Sequence, residues 1–131
     1  MDNFYQEQIL EHYKHPSNYG RLDNPTISHE DTNPLCGDII RIDLLIEDEL
    51  IKEIKFSGQG CAISQASASM LTDEIKGKTL AEAKAFSKED LLELIGIPLQ
   101  KNPSRLKCAL LSLKTLKAGL YGMGTMDDED L

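Results

Sequence analysis

At 131 residues the chain has room for one domain with an ordinary hydrophobic core and needs no disulfide staples. Its 22 acidic and 14 basic residues leave a net charge of −8, which repels phosphate backbones and anionic lipid and argues against nucleic-acid or membrane-surface binding. No run of about 18 apolar residues is present to span a bilayer, and the opening MDNFYQEQILEHYKHP lacks the basic-then-apolar order of a secretory signal, so the chain reads as cytoplasmic.

In chain order, Tyr5, Ile9, His12 and Tyr13 recur at helical spacing, and His15-Pro16 ends that first helix. Residues 16–37, rich in Asn, Pro, Gly and Asp, read as a long irregular segment, which in a small domain is more often functional than idle. From Asp38 the period changes to two. Ile40, Ile42, Leu44 and Ile46 predict a half-buried strand. A charged turn at Glu47-Asp48-Glu49 leads to a second strand carrying Ile54 and Phe56, and so short a connection implies an antiparallel hairpin. Ser57-Gly58-Gln59-Gly60 then bends the chain into Cys61-Ala62-Ile63, either a short third strand or a strand-to-helix corner.

The remainder reads as helical. Residues 65–76 close on Gly77, and the pairs Thr79/Glu82 and Ser87/Asp90 have the spacing of helix starts. Asn102-Pro103 opens a long last helix that runs to about Gly119–Gly122. Residues 1–4 and about 123–131, including the acidic Asp127-Asp128-Glu129-Asp130, are expected to be flexible ends of a single domain. The prediction is an α+β fold: a small antiparallel three-stranded sheet packed against several helices, with a long C-terminal helix.

Three cysteines are an odd number, unsuited to a disulfide framework and suited, in a reducing compartment, to metal binding or nucleophilic chemistry. Cys36 sits in the turn Asn33-Pro34-Leu35-Cys36-Gly37-Asp38. On an extended backbone the Cys36 thiol and the Asp38 carboxylate project to one side and can reach a common ion, although an Asp after Gly is also an ordinary turn residue. Cys61 stands between flanking glycines and a helix, whose N-terminus would favour negative charge on the sulfur if it pointed there. A buried Cys at a bulge is the plain alternative. At 100° per residue from Leu106, the apolar positions Ala109, Leu113, Leu116 and Leu120 cluster between about 280° and 340°. Cys108 falls near about 200°, off that stripe, and is therefore expected to be exposed on another face.

The steps of 25 and 47 residues between the thiols match no paired-cysteine zinc knuckle, so a shared site and three unrelated thiols both fit the spacing. Three thiolates with Asp38 would make an S3O set suited to zinc, or to iron and sulfide held loosely, since carboxylate is the weaker partner for such a cluster. His12, His15 and His29 lack a partner at ligand spacing and read as surface or helix residues.

Four stretches resemble a known family: YKHPSN (13–18), NPLCGD (33–38), GQGCAISQASASM (58–70) and RLKCAL (105–110). The sequence is similar, from about Tyr5 to Gly122, to the U-type iron–sulfur cluster assembly proteins, the IscU and SufU group. The resemblance implies a scaffold, not a turnover enzyme, on which a transient [2Fe–2S] cluster is built and passed to apo iron–sulfur proteins. Sulfur would come as persulfide from a cysteine desulfurase, with a further donor of iron or electrons. Cys36, Asp38, Cys61 and Cys108 match the family's site positions, zinc occupies that site in the cluster-free form, and Cys108 matches the persulfide acceptor.

Two departures are informative. Lys107 stands where IscU-type members have His, as it does in SufU-type members. Lys101-Asn102-Pro103-Ser104-Arg105 does not reproduce the proline-rich docking motif, so no dedicated chaperone is implied. The 47-residue step also leaves no room for the usual SufU insert. SufU-type members resemble zinc-dependent sulfur acceptors that activate their desulfurase without holding a cluster, which is the alternative reading of the same four residues.

Overall fold

The structure, a computed structural model, describes residues 3–34, 37–96, 99, 102–124, 126, 127 and 131. Helix α1 (Asn3–Lys14) ends where Pro16 cannot continue it, and the His15 N–H closes the last turn on the Glu11 carbonyl at 2.8 Å. Three antiparallel strands follow, β1 (Ile27–Asn33), β2 (Asp38–Glu47) and β3 (Leu50–Gln59), in the order β1-β2-β3. Helices α2 (Ala62–Ile75), α3 (Leu80–Ala85), α4 (Lys88–Ile95) and α5 (Pro103–Tyr121) complete the described elements. The α+β class, the three-stranded antiparallel sheet and the long C-terminal helix are as the sequence predicts.

The β2–β3 hairpin pairs Glu47 with Leu50 across two residues, and Asp48 and Glu49 both have positive φ, of 53° and 63°. That is the backbone that matches the right-handed twist of the flanking strands. On β2 the side chains of Asp38, Ile40, Ile42 and Leu44 alternate onto one face, where the three apolar ones join Ile54 and Phe56 of β3 in the core. Leu71 and Ile75 of α2 and Leu110, Leu113 and Leu116 of α5 complete the same cluster.

The identity of the third strand corrects the sequence reading. The irregular segment expected at 16–37 contains β1, whose ISHEDTN has weak strand propensity and a polar alternate face. Pairing decides the matter: Ile27 to Asn33 lie opposite Leu44 to Asp38 along the full length of β1. Cys61-Ala62-Ile63 is therefore the strand-to-helix corner, and α2 begins at Ala62, three residues before the expected 65.

Residues 16–26 remain irregular but are tied at each step. The Asn18 carbonyl and Gly20 N–H bond the backbone of Phe56, and the Leu22 N–H donates to Asp43 Oδ2 at 3.0 Å. The Thr26 N–H reaches the Leu44 carbonyl. Asp43, buried on the second face of β2, also accepts from Ser28 Oγ at 2.7 Å and Arg41 Nε at 3.0 Å. Burial alone would raise its pKa, but the bonds from Ser28, Arg41 and Leu22 and the charge of Arg41 outweigh it and hold the carboxyl below its ordinary value.

The helix starts behave as their spacing predicts. Thr79 with Glu82 and Ser87 with Asp90 form reciprocal capping boxes, and Asn102 caps α5 ahead of Pro103. Met126 and Leu131 are buried, and the Lys88 N–H donates to the Leu131 carbonyl at 3.2 Å.

Candidate metal centre

The sheet and two helices converge on one group of donors. Asp38 is the first residue of β2 and is 1% exposed, its carboxylate on the core-facing side. Cys61 is the N-cap of α2, and its sulfur accepts the Ser64 N–H at 3.5 Å, while Ser64 Oγ donates to the Cys61 carbonyl. A cysteine sulfur therefore takes the place normally held by a Ser or Asp oxygen at a helix start. The helix N-terminus points at Cys61, as the sequence reading allowed.

Asp38 and Cys61 are linked twice. The Cys61 N–H donates to Asp38 Oδ1 at 3.0 Å, and the Cys61 thiol lies 3.6 Å from Oδ2. Gly60 makes this approach possible. A Cβ there would lie 2.2 Å from Asp38 Oδ1, and φ is +143°, which only glycine adopts without strain. Gly58 is required for a separate reason, since its Cβ would lie 2.0 Å from the Ile39 carbonyl oxygen.

Cys108 comes from the second turn of α5 and is 4% exposed. This corrects the expectation that it is presented to solvent. Its angle off the apolar stripe is real, but Cys108 through Leu113 and Thr115 through Ala118 are all buried, so α5 is covered on nearly every side and the off-stripe direction faces the site. The Asn33 Nδ2–H donates to Cys108 Sγ at 3.7 Å from the end of β1, where Asn33 is paired with Asp38.

One donor atom each from Asp38, Cys61 and Cys108 lies within 4.8 Å of the others, and among the described residues this is the only such group of His, Cys, Asp or Glu. A tetrahedral metal with thiolate and carboxylate ligands holds its donors roughly 3.5–3.8 Å apart. The Cys61–Asp38 separation of 3.6 Å already has that spacing, so the set fits a zinc-sized ion with small side-chain adjustments. The site is buried at Asp38 and Cys108 and exposed at Cys61.

Cys36, the remaining expected member, lies outside the described residues. The Gly37 N–H donates to the Asn33 carbonyl at 2.8 Å. None of the three histidines joins the group. His12 is bonded to Ser69 Oγ at 2.7 Å, His15 is exposed just past α1, and His29 packs under Gly119 of α5. Lys107, beside Cys108, is exposed.

Sequence reasoning missed Asn33 and the steric role of Gly60, although both stand inside motifs it singled out. For Gly60 the only signal was a glycine immediately before a cysteine. For Asn33 there was none beyond its place in NPLCGD.

The chain is similar to several known proteins. A zinc-dependent sulfurtransferase SufU from Bacillus subtilis (strain 168) is 39% identical over 135 residues, covering 92% of this chain and 91% of that protein. The alignment is longer than the 131 residues here, so that relative carries residues this chain lacks. The iron–sulfur cluster assembly scaffold protein IscU of Escherichia coli (strain K12) is 32% identical, covering 88% of this chain and 91% of its own length.

Among solved structures, a candidate iron–sulfur cluster assembly scaffold protein for the SUF system (FiSufU), from the thermophile Fervidobacterium islandicum AW-1, superposes with a TM-score of 0.77. It is 30% identical and covers 87% of this chain and 94% of that one. The model of the NifU-like N-terminal domain matches residues 4–125, and the chain belongs to that family.

Proposed function

We propose that the protein is a sulfur-accepting scaffold for iron–sulfur cluster assembly. It takes persulfide sulfur from a cysteine desulfurase in the cytoplasm, assembles a [2Fe–2S] cluster as cargo, and passes it to apo-proteins. The observation that carries this reading is the compact Asp38–Cys61–Cys108 set with one exposed member. A structural zinc site is closed and four-coordinate. A site for cargo that must enter and leave needs an open side, and exposed Cys61 supplies it.

The proposed ligands are Cys36, Asp38, Cys61 and Cys108. Asp38 supplies the hard oxygen in an otherwise soft set, which weakens the hold on iron and sulfide and favours release. Cys108 is the proposed persulfide acceptor. It is 4% exposed, so on this reading a donor sulfur reaches it through the side of the site where Cys61 is exposed. Asn33 holds the Cys108 sulfur in place from β1. When cargo is absent, zinc in the same residues would tie β2, α2 and α5 together at one point.

A second reading is favoured by the similarity to the Bacillus protein, whose name describes a zinc-dependent sulfurtransferase. On that reading the same four residues of this chain hold zinc, and the protein stimulates its desulfurase without carrying a cluster. Substituting Cys108→Ser separates the two. On the scaffold reading cluster assembly is lost while desulfurase stimulation persists; on the second reading stimulation is lost as well.

A further inference from the structure

A groove of about 380 Å³ opens beside the candidate centre, walled by Tyr13, Pro16 and Tyr19 from the end of α1 and the segment after it, by Gly58–Gly60 at the end of β3, and by Gln65 of α2. Gly60 adjoins Cys61 in sequence, and Gln65 is one helical turn beyond it, with its N–H on the Cys61 carbonyl. The groove thus lies next to Cys61, the exposed member of the site.

Three features define what fits there. First, among the described residues no charged side chain lines the groove, in a chain where 36 of 131 residues are charged. Second, Gln65 is 8% exposed and its carboxamide is nearly unused. Its nitrogen has only a long contact of 3.4 Å to Ser64 Oγ, and among the described residues its oxygen accepts no hydrogen bond. A carboxamide of this kind offers a donor and an acceptor together, the complement of a peptide group.

Third, the outer edge of β3 is covered at Phe56, where Asn18 and Gly20 bond its backbone, but among the described residues not beyond it. Alternation along the strand then directs the N–H and C=O of Gly58 outward, and Tyr19 OH already reaches that carbonyl at 3.4 Å. An uncovered strand edge flanked by glycines accepts another extended backbone. Tyr13 and Tyr19, 45% and 50% exposed, supply apolar ring surface at low entropy cost.

We infer that this groove seats an uncharged, extended segment of the sulfur-donating protein, namely the residues flanking its persulfide-bearing cysteine, with Gln65 and the Gly58 edge hydrogen-bonding its backbone. The inference rests on the sulfur-acceptor reading above. Seated there, the donor's terminal sulfur lies at the mouth of the site. An accepting thiolate of the site attacks that sulfur, one S–S bond forms as the donor's S–S bond breaks, and the donor cysteine leaves as thiolate with no net oxidation.

The test uses the full chain and two probes that carry the same activated disulfide to thionitrobenzoate. One probe is a blocked, uncharged heptapeptide with a central cysteine, and the other is N-acetylcysteine methylamide, which has no flanking residues. Mixed-disulfide formation at the site's thiols, Cys61 or Cys108, is followed by thionitrobenzoate release and mapped by mass spectrometry. The peptide is expected to react roughly three- to ten-fold faster than the single-residue probe, the worth of one or two backbone hydrogen bonds. In Gln65→Ala and Tyr13→Ala that preference falls toward one, with the single-residue rate unchanged.

With a cysteine desulfurase and cysteine, the same variants need a correspondingly higher concentration for half-maximal sulfur uptake at an unchanged maximal rate. No peptide preference in the parent, or an undiminished preference in both variants, overturns the groove assignment while leaving sulfur acceptance standing. A parent that shows the preference but takes no sulfur from the desulfurase overturns the sulfur-acceptor reading, and the donor as occupant with it.

Discussion

Replacing Gly60 by Ala puts a methyl group where the Asp38 carboxylate stands. The new Cβ would lie 2.2 Å from Oδ1, 2.7 Å from Cγ and 2.9 Å from Cβ of Asp38, against ordinary contact from 3.4 Å, so the carboxylate must retreat by more than 1 Å. That retreat breaks the 3.0 Å bond from the Cys61 N–H, a hydrogen bond to a charged group worth about 1.5–3 kcal/mol. A side chain at φ +143° adds strain of about 1–3 kcal/mol.

The expected total is a loss of about 3–5 kcal/mol in denaturant unfolding, together with a fall of about 10- to 100-fold in zinc affinity as one ligand is displaced. Gly77→Ala is the control. Its φ is +88° with nothing within 4 Å, so it carries backbone strain alone and should leave zinc binding unchanged. Competition against a chromophoric chelator measures the affinity. A Gly60→Ala protein that binds zinc within two-fold of the parent would refute the claim that Gly60 exists to admit the Asp38 carboxylate.

Other expectations follow from the same structure. Asp43 has a folded-state pKa below the ordinary 3.8, so its contribution is present above that value and is lost as pH falls through the lower folded value; Asp43→Asn should flatten this acid limb of a stability-against-pH curve and cost about 2–3 kcal/mol at pH 7. Lys117 is 5% exposed, and burial lowers its pKa from 10.5 against the opposing charges of Asp90 and Glu89. The unfolded chain therefore holds that proton more tightly, stability rises with pH up to about 10.5, and Lys117→Met should raise the unfolding midpoint at pH 7 by an amount that vanishes above that pH. Thr79→Ala removes one half of a capping box and should cost about 1 kcal/mol in thermal or denaturant unfolding, without effect on zinc. The net charge of −8 predicts docking on a basic patch of the desulfurase, so their association should weaken from low to physiological salt; an unchanged affinity would rule out electrostatic docking.

The elements legible in the sequence were those whose signals are local. Proline after His15, the Thr79/Glu82 and Ser87/Asp90 pairs, and Asn102-Pro103 each mark a helix boundary by backbone chemistry that needs no distant partner. Strand β1 was not legible because ISHEDTN, with only Ile27 and Thr32 as strand formers, has weak strand propensity until β2 lies beside it. Cys108 failed for a related reason. A helical wheel gives direction, and the direction was right, but burial depends on what the fold places there, and α5 is covered on nearly every side. In the candidate site the motifs pointed to Asp38, Cys61 and Cys108, which the fold does bring together. They could not reveal that Gly60 clears space for Asp38, or that Asn33 reaches Cys108 from 75 residues away.

The most direct test of the scaffold reading is anaerobic reconstitution with a cysteine desulfurase, cysteine and ferrous iron, followed by visible absorption and Mössbauer spectra, with zinc and iron counted before and after. The account predicts a [2Fe–2S] signal that is lost in Cys36→Ser, Cys61→Ser or Cys108→Ser and that can be transferred to an apo-ferredoxin. Retained zinc, no cluster and strongly stimulated desulfurase turnover would contradict it and establish the zinc-dependent sulfur acceptor instead.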